Sequence, residues 1–231
     1  MTQQNTEILS VKLAEVKHRI EQTSRLYHHL IVPKLLAVSK KHPAEKIEAI
    51  YKLGQKEFGE NYVQEALEKI QQLNHLDIIW HFIGPIQSNK TRAIAENFDW
   101  VQSVDRMKIL TRLNNQRPES LSPLNVLLQY KVGDENSKSG ACQSEILDML
   151  DAANNMIHVN IRGLMCIPPP SNNRQVQCSY FSEVMTLFKQ LKSKKPLMDT
   201  LSMGMSADLE AAIEMGTTMV RVGTDIFGSR C

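Results

Sequence analysis

Four cysteines, Cys142, Cys166, Cys178 and Cys231, share no Cys-x-x-Cys spacing and no common spacing with the histidines. A disulfide framework and a zinc site are therefore not expected. Long apolar runs are missing too: none nears the roughly 18 residues that a membrane span needs. The first residues, Met1-Thr-Gln-Gln-Asn-Thr-Glu7, lack the apolar segment of a secretory leader. A cytoplasmic location is expected. Charge of one sign is also scarce in excess, with 27 Lys and Arg against 25 Asp and Glu and a net charge of +2. Nothing in that balance calls for nucleic acid or a membrane as a partner. The basic group Lys189, Lys192, Lys194 and Lys195 closes a predicted helix, where cations suit the macrodipole. No Gly/Ser-rich linker or charge block divides the chain, so residues 1–231 are read as a single domain. The one strong breaker is Pro168-Pro-Pro-Ser-Asn-Asn173.

What is present is one repeated pattern. Residues 6–30 carry apolar positions at Ile8, Val11, Leu13, Val16, Ile20 and Leu26, the period of a leading amphipathic helix. Behind it, apolar strand-like runs alternate with helical segments. The runs are 35–40, 57–61, 78–84, 100–104, 124–132, 158–167, 200–205 and 219–227. Helical stripes are marked by Ile47, Ile50 and Leu53 after Pro43, and by Val63, Ala66, Leu67 and Ile70 in 62–73. Further stripes lie in 141–156, 177–192 and 207–215. Eight runs with helical intervals predict an α/β fold, a single closed (β/α)8 TIM-type barrel with an extra N-terminal helix.

In the hexamer Leu35-Leu36-Ala37-Val38-Ser39-Lys40, alternation puts Leu36, Val38 and Lys40 on one face. An amine at the carboxyl end of an apolar strand is either a snorkelling surface charge or a desolvated group that can attack a carbonyl. Barrel sites form at the loops after the strands, with phosphate often held after strands seven and eight. The seventh run leads into Ser202-Met-Gly-Met-Ser206, and the eighth contains Arg221-Val-Gly-Thr224. These can be read as a phosphate cradle, or as an N-cap and a packing glycine. Strands one and eight are neighbours on closure, so a ligand joining an aldehyde to a phosphate would span the two places. Pyridoxal phosphate is such a molecule.

Seven motifs in order carry a resemblance. They are Leu35–Lys40, Phe58-Gly-Glu-Asn-Tyr-Val-Gln-Glu65, His81-Phe-Ile-Gly84 with Gln87-Ser-Asn-Lys90, Glu135-Asn-Ser-Lys-Ser-Gly140, Gly163-Leu-Met165, Leu201–Asp208, and Arg221-Val-Gly-Thr224 with Ile226-Phe-Gly228. From about residue 10 onward the chain resembles the YggS/PROSC family of pyridoxal-phosphate homeostasis proteins. The resemblance implies a barrel of the alanine racemase N-terminal-domain kind in which Lys40 forms an internal aldimine with the cofactor. It places Asn61 beside the ring, Ser202, Ser206, Gly223 and Thr224 on the phosphate, and Arg221 at the pyridine nitrogen. Asp225 departs from the small residue expected there and sets a negative charge beside the cradle, tolerable if strand alternation turns it away.

The resemblance implies a binding protein rather than an enzyme. An arginine at the ring nitrogen opposes the protonation that carbanion chemistry needs. Barrel racemases also take a second acid/base group from a second domain of a partner chain, which this chain is not expected to supply. It is therefore expected to hold pyridoxal 5′-phosphate, to buffer or deliver it, and to act as a monomer. Apo forms of cofactor-dependent enzymes would be its partners. The rivals are a barrel-type racemase or lyase using Tyr62, Tyr130 or His81, and an aldolase that needs only the lysine and the phosphate cradle. Lys138 is a candidate secondary amine site, and the pair His28-His29 is read as the cationic end of the leading helix.

Overall fold

Seven of the eight apolar runs become strands shorter than the run itself, because pairing stops where the chain must turn out over the barrel rim; the fourth, 100–104, is strand throughout. The computed structural model describes residues 3–133 and 139–228. In it β1 (Lys34–Val38), β2 (Glu57–Glu60), β3 (Ile79–Phe82), β4 (Trp100–Val104), β5 (Leu124–Gln129), β6 (Val159–Met165), β7 (Thr200–Ser202) and β8 (Met219–Val222) pair in parallel, in sequence order. β8 returns to β1, closing the barrel. The eight-stranded barrel expected from the sequence is therefore the observed fold.

The helices cover it. α1 (Gln3–Leu26) precedes the barrel, and α2 (Ala44–Lys52), α3 (Val63–Gln72), α4 (Thr91–Asn97), α5 (Met107–Gln116), α6 (Gln143–Ala152), α7 (Arg174–Lys194) and α8 (Leu209–Glu214) fill the intervals. α1 buries Leu9, Leu13, Val16 and Ile20 and packs on α2, α8 and α9 (Thr224–Phe227). It ends at Leu26, so His28 and His29 lie in the turn beyond it rather than on its last turn.

Two layers of side chains result. The main apolar core lies between sheet and helices and includes Phe58, Phe82, Ile94, Phe181 and Ile213. Inside the barrel is a separate small cluster of Trp100, Leu127 and Met165, against which Ile79 packs. The interior also holds the polar side chains His81, Gln102, Ser202 and Arg221 at no more than 4% exposure. At its end the eighth run departs from expectation. Pairing stops at Val222, and Thr224–Phe227 is a turn of helix, α9. Strand alternation therefore cannot decide where Asp225 points.

Candidate functional site

β1 and β8 lie side by side, with Leu36 opposite Arg221 and Ala37 opposite Val222. The segments that leave these strands are thus neighbours at the C-terminal mouth of the barrel. A cavity of about 250 Å³ opens there, lined by Lys40, Asn61, Ser206, Arg221, Gly223 and Thr224. Val38, Ile83, Ile167 and Met205 supply its apolar wall. Six of the seven residues expected to bind a cofactor surround one space.

Ser202 is the exception. It is fully buried inside the barrel, where its hydroxyl donates to Gln102 Oε1 at 2.7 Å and accepts from Arg221 Nη1 at 2.7 Å. Its one hydroxyl proton is engaged by Gln102 below the cavity, and it grips Arg221 instead of lining the cavity. Ser206, by contrast, is not a helix cap, because Asp208 takes the N-cap position of α8.

Lys40 sits in a turn just past β1 that is anchored from outside the barrel. The Ser39 amide donates to the Gly59 carbonyl at 3.0 Å and its hydroxyl to Glu60 Oε1 at 2.6 Å. Lys69 Nζ of α3 donates to the Ser39 carbonyl at 2.9 Å and to Glu60 Oε1 at 2.7 Å. Glu65 ties Lys69 to the amide of Lys41, whose φ of 63° completes the turn. Burial pushes the Glu60 carboxyl up, with Lys69 and Ser39 opposing. Such a network is rigid because breaking one member strands a buried charge.

Arg221 forms part of the wall at 4% exposure. Nη1 donates to the Ser202 carbonyl and hydroxyl at 2.8 and 2.7 Å, and Nη2 to the Cys166 carbonyl at 2.8 Å. All three acceptors are neutral. Burial lowers its pKa against the influence of Cys166 and Asp208, but a guanidinium starts so high that it stays a cation. Beneath it a polar chain descends through the barrel. Gln102 Oε1 is taken by Ser202, so Gln102 Nε2 donates to His81 Nδ1 at 2.9 Å and the ring proton belongs on Nε2. That nitrogen is 3.3 Å from Glu57 Oε2, close but not aligned for a hydrogen bond. Glu57 Oε1 accepts from Lys34 Nζ at 2.9 Å. Burial holds the His81 pKa below its ordinary 6.5 against the pull of Glu57, so the ring is neutral. Burial alone would raise Glu57, but His81 and Lys34 bring it below its usual range.

Two features fit a polar ligand with an anionic end. Asn61 Oδ1 is buried without a hydrogen-bond partner among the described residues, on the wall of the cavity. A Cβ at Gly223 would stand 3.0 Å from the Val38 carbonyl oxygen, so a larger residue there would push the loop and β1 apart by a few tenths of an ångström. The three candidates for a racemase's second acid/base group are placed elsewhere. Tyr62 is an exposed helix cap, and Tyr130 donates to Glu183 with its pKa pushed up to about 12, by burial first and Glu183 second. His81 lies below Arg221. None of them lines the cavity.

Known proteins share this arrangement of chain and fold. The family model described as alanine racemase, N-terminal domain, matches residues 11–231. A pyridoxal phosphate homeostasis protein of Pasteurella multocida is 49% identical over 219 residues, covering 93% of each chain. The chain belongs to the pyridoxal phosphate homeostasis family. Another family member, from Escherichia coli K12, is 50% identical over 199 residues, or 85% of each chain. The solved structure of PipY from Synechococcus elongatus PCC7942 with PLP bound is 34% identical, with a TM-score of 0.84 over 95% of this chain and 100% of that one.

Within this homeostasis-family barrel, Lys69 holds the turn before Lys40, Gln102 bonds Ser202 and Arg19 bonds Glu210, Asp225 and the Ser206 carbonyl, contacts that no sequence pattern announces. Each acts through a partner far away in the chain, and only Glu60 and Glu65 lie close enough to Lys69 to have hinted at it. Lys138, the candidate secondary amine, lies outside the described residues.

Proposed function

We propose that the chain binds pyridoxal 5′-phosphate through Lys40 and takes part in its intracellular homeostasis, buffering or delivering it without turnover of its own. The observation that carries this reading is the convergence of Lys40, Asn61, Ser206, Arg221, Gly223 and Thr224 on one cavity. Membership of a family named for this homeostasis, and the PLP-bound state of PipY, support it. No helix among the described residues is long and apolar enough to cross a membrane.

The roles follow from the chemistry of each group. Lys40 supplies the amine with which the aldehyde combines, and the anchored turn at Ser39 holds that amine over the cavity. Ser206 and Thr224 offer hydroxyls, and the first amides of α9 after Gly223 have no intrahelical acceptor, so together they receive the phosphate. Asn61 lies beside the ring. When bound, pyridoxal phosphate supplies an electron sink that works best with its ring nitrogen protonated. Arg221, locked by Ser202 and Cys166, sets a fixed positive charge on the cavity wall, and a cation there disfavours that protonation. Tyr62, Tyr130 and His81 all lie off the cavity wall, which favours retaining the cofactor over using it. Apo-enzymes awaiting cofactor are the proposed recipients, and the chain is proposed to act as a cytoplasmic monomer.

The test is borohydride reduction of the chain loaded with pyridoxal 5′-phosphate, followed by peptide mass mapping. The cofactor mass should be fixed on Lys40, the near-ultraviolet and visible band should be absent in Lys40→Ala, and light scattering should report about 26.3 kDa. Fixation elsewhere, or an unchanged band in Lys40→Ala, defeats the assignment. Exchange of an amino acid α-hydrogen with deuterated solvent at catalytic rates would make it an enzyme instead.

A further inference from the structure

The inference rests on the reading that Ser206, Gly223 and Thr224 receive a phosphate. Asp225 follows that cradle directly in the chain, and Glu210 stands in the first turn of α8 beyond Ser206. Two carboxylates thus flank a site meant for a dianion. Left uncompensated, both would repel it. Arg19, on α1, reaches the pair. Its Nη1 donates to Asp225 Oδ2 at 2.8 Å, and its Nη2 and Nε donate to Glu210 Oε1 at 2.8 and 3.1 Å. The same Nη2 donates to the Ser206 carbonyl at 3.3 Å. One guanidinium therefore joins the loop after β7 to the helix after β8, the two segments that carry the cradle. Val16 and Ile20, buried beneath α1, fix the position from which Arg19 reaches. All three charged side chains are mostly covered, at 37%, 37% and 31% exposure, so solvent weakens their fields without cancelling them.

We propose that Arg19 is a positioning residue for phosphate binding. It ties the two cradle segments into one unit and offsets the negative charge that Asp225 and Glu210 would otherwise present to the ligand. A small residue at position 225 would need no such partner; the aspartate found here does.

The test is calorimetric titration of the full chain with pyridoxal 5′-phosphate and, separately, with pyridoxal, which keeps the ring and aldehyde but lacks the phosphate. Arg19→Ala should weaken the phosphate ligand about fivefold at low salt, an effect of the size partly exposed charges produce. The gap should close at high salt, and pyridoxal should bind as before. Asp225→Asn added to Arg19→Ala should recover most of the loss. Asp225→Asn alone, a conservative change that does not depend on Arg19→Ala folding, should tighten the phosphate ligand. Equal losses for both ligands would reduce Arg19 to a packing role and overturn the proposal. So would a double variant as weak as Arg19→Ala, or no tightening in Asp225→Asn. A wild-type chain that binds pyridoxal as well as the phosphate ester overturns the phosphate reading and the clamp with it. A wild-type chain that prefers the ester, with variants that match it, overturns the clamp alone.

Discussion

Gly223 shows how little room the site leaves at the level of single atoms. Adding a Cβ would put it 3.0 Å from the Val38 carbonyl oxygen and 3.3 Å from Val38 Cβ, and the backbone of a strand paired on both sides cannot easily give way. Overpacking of that kind costs about 1–3 kcal/mol. Gly223→Ala is therefore expected to lower affinity for pyridoxal 5′-phosphate by about tenfold, while far-ultraviolet circular dichroism stays that of the wild type. Unchanged affinity would mean the loop relaxes without moving the cradle. Gly84 is tighter still, since a Cβ there would come within 2.1 Å of the Asn61 carbonyl oxygen and displace Asn61 itself. At this scale the chain was legible in part, where a side chain's role depends on its own strand. Alternation of Leu36 and Val38 drew attention to Lys40 but left it between a surface charge and a reactive amine, and the family resemblance decided the expectation. Ser202 and Ser206 could not be separated, because two serines four residues apart look alike until one is seen inside the barrel and the other on its rim.

Among the elements, the turn after β1 depends most on outside support. Ser39, Glu60, Glu65 and Lys69 bind β1, β2 and α3 into one unit, and Lys69 is only 5% exposed. Lys69→Met would leave the Glu60 carboxylate buried without its cation, at a cost of about 3–5 kcal/mol. The sign with pH follows from the direction of the Glu60 shift. A carboxyl whose folded pKa is raised favours the fold while protonated and loses that advantage as the pH rises through its folded value. The variant should be hurt least in acid and increasingly above the ordinary value of 4.5, which urea titrations across pH would show. A loss that does not vary with pH would mean that Glu60 is not the stranded group. Helix boundaries at this scale were read to within a few residues from Pro43, Gly54 and the apolar stripes. The end of β8 was not, because Ile226 and Phe227 are apolar for the sake of the core that α9 enters, and apolarity alone cannot separate a buried strand from a buried helical turn.

Across the whole molecule, the barrel interior joins the two ends of the fold. Lys34, Glu57, His81, Gln102, Ser202 and Arg221 follow one another from the N-terminal opening to the cavity, in contact throughout. His81 stacks on Trp100, with ring centroids 5.3 Å apart, and has no exposure to solvent. Its folded pKa is depressed, so its contribution is fully present above the unfolded value of 6.5 and is lost as the pH falls below it. Global stability should therefore decline on acidification from neutrality, with His81 supplying up to about 1.4 kcal/mol per pH unit. His81→Gln should flatten that slope in thermal melts taken across the range, and an unaltered slope would assign the effect to other groups.

What the sequence determined by itself was the barrel and its order of elements, which follow from period, turn residues and neighbouring strands, all properties of short stretches; the residues of the cavity wall were named through the family resemblance. Tertiary structure alone decided that Ser202 serves Arg221, that Lys69 secures the turn beneath Lys40, and that Arg19 pairs with the Asp225 and Glu210 carboxylates. Those pairings span up to 206 residues. A local pattern carries no information about which distant charges closure of the barrel will bring within hydrogen-bonding distance.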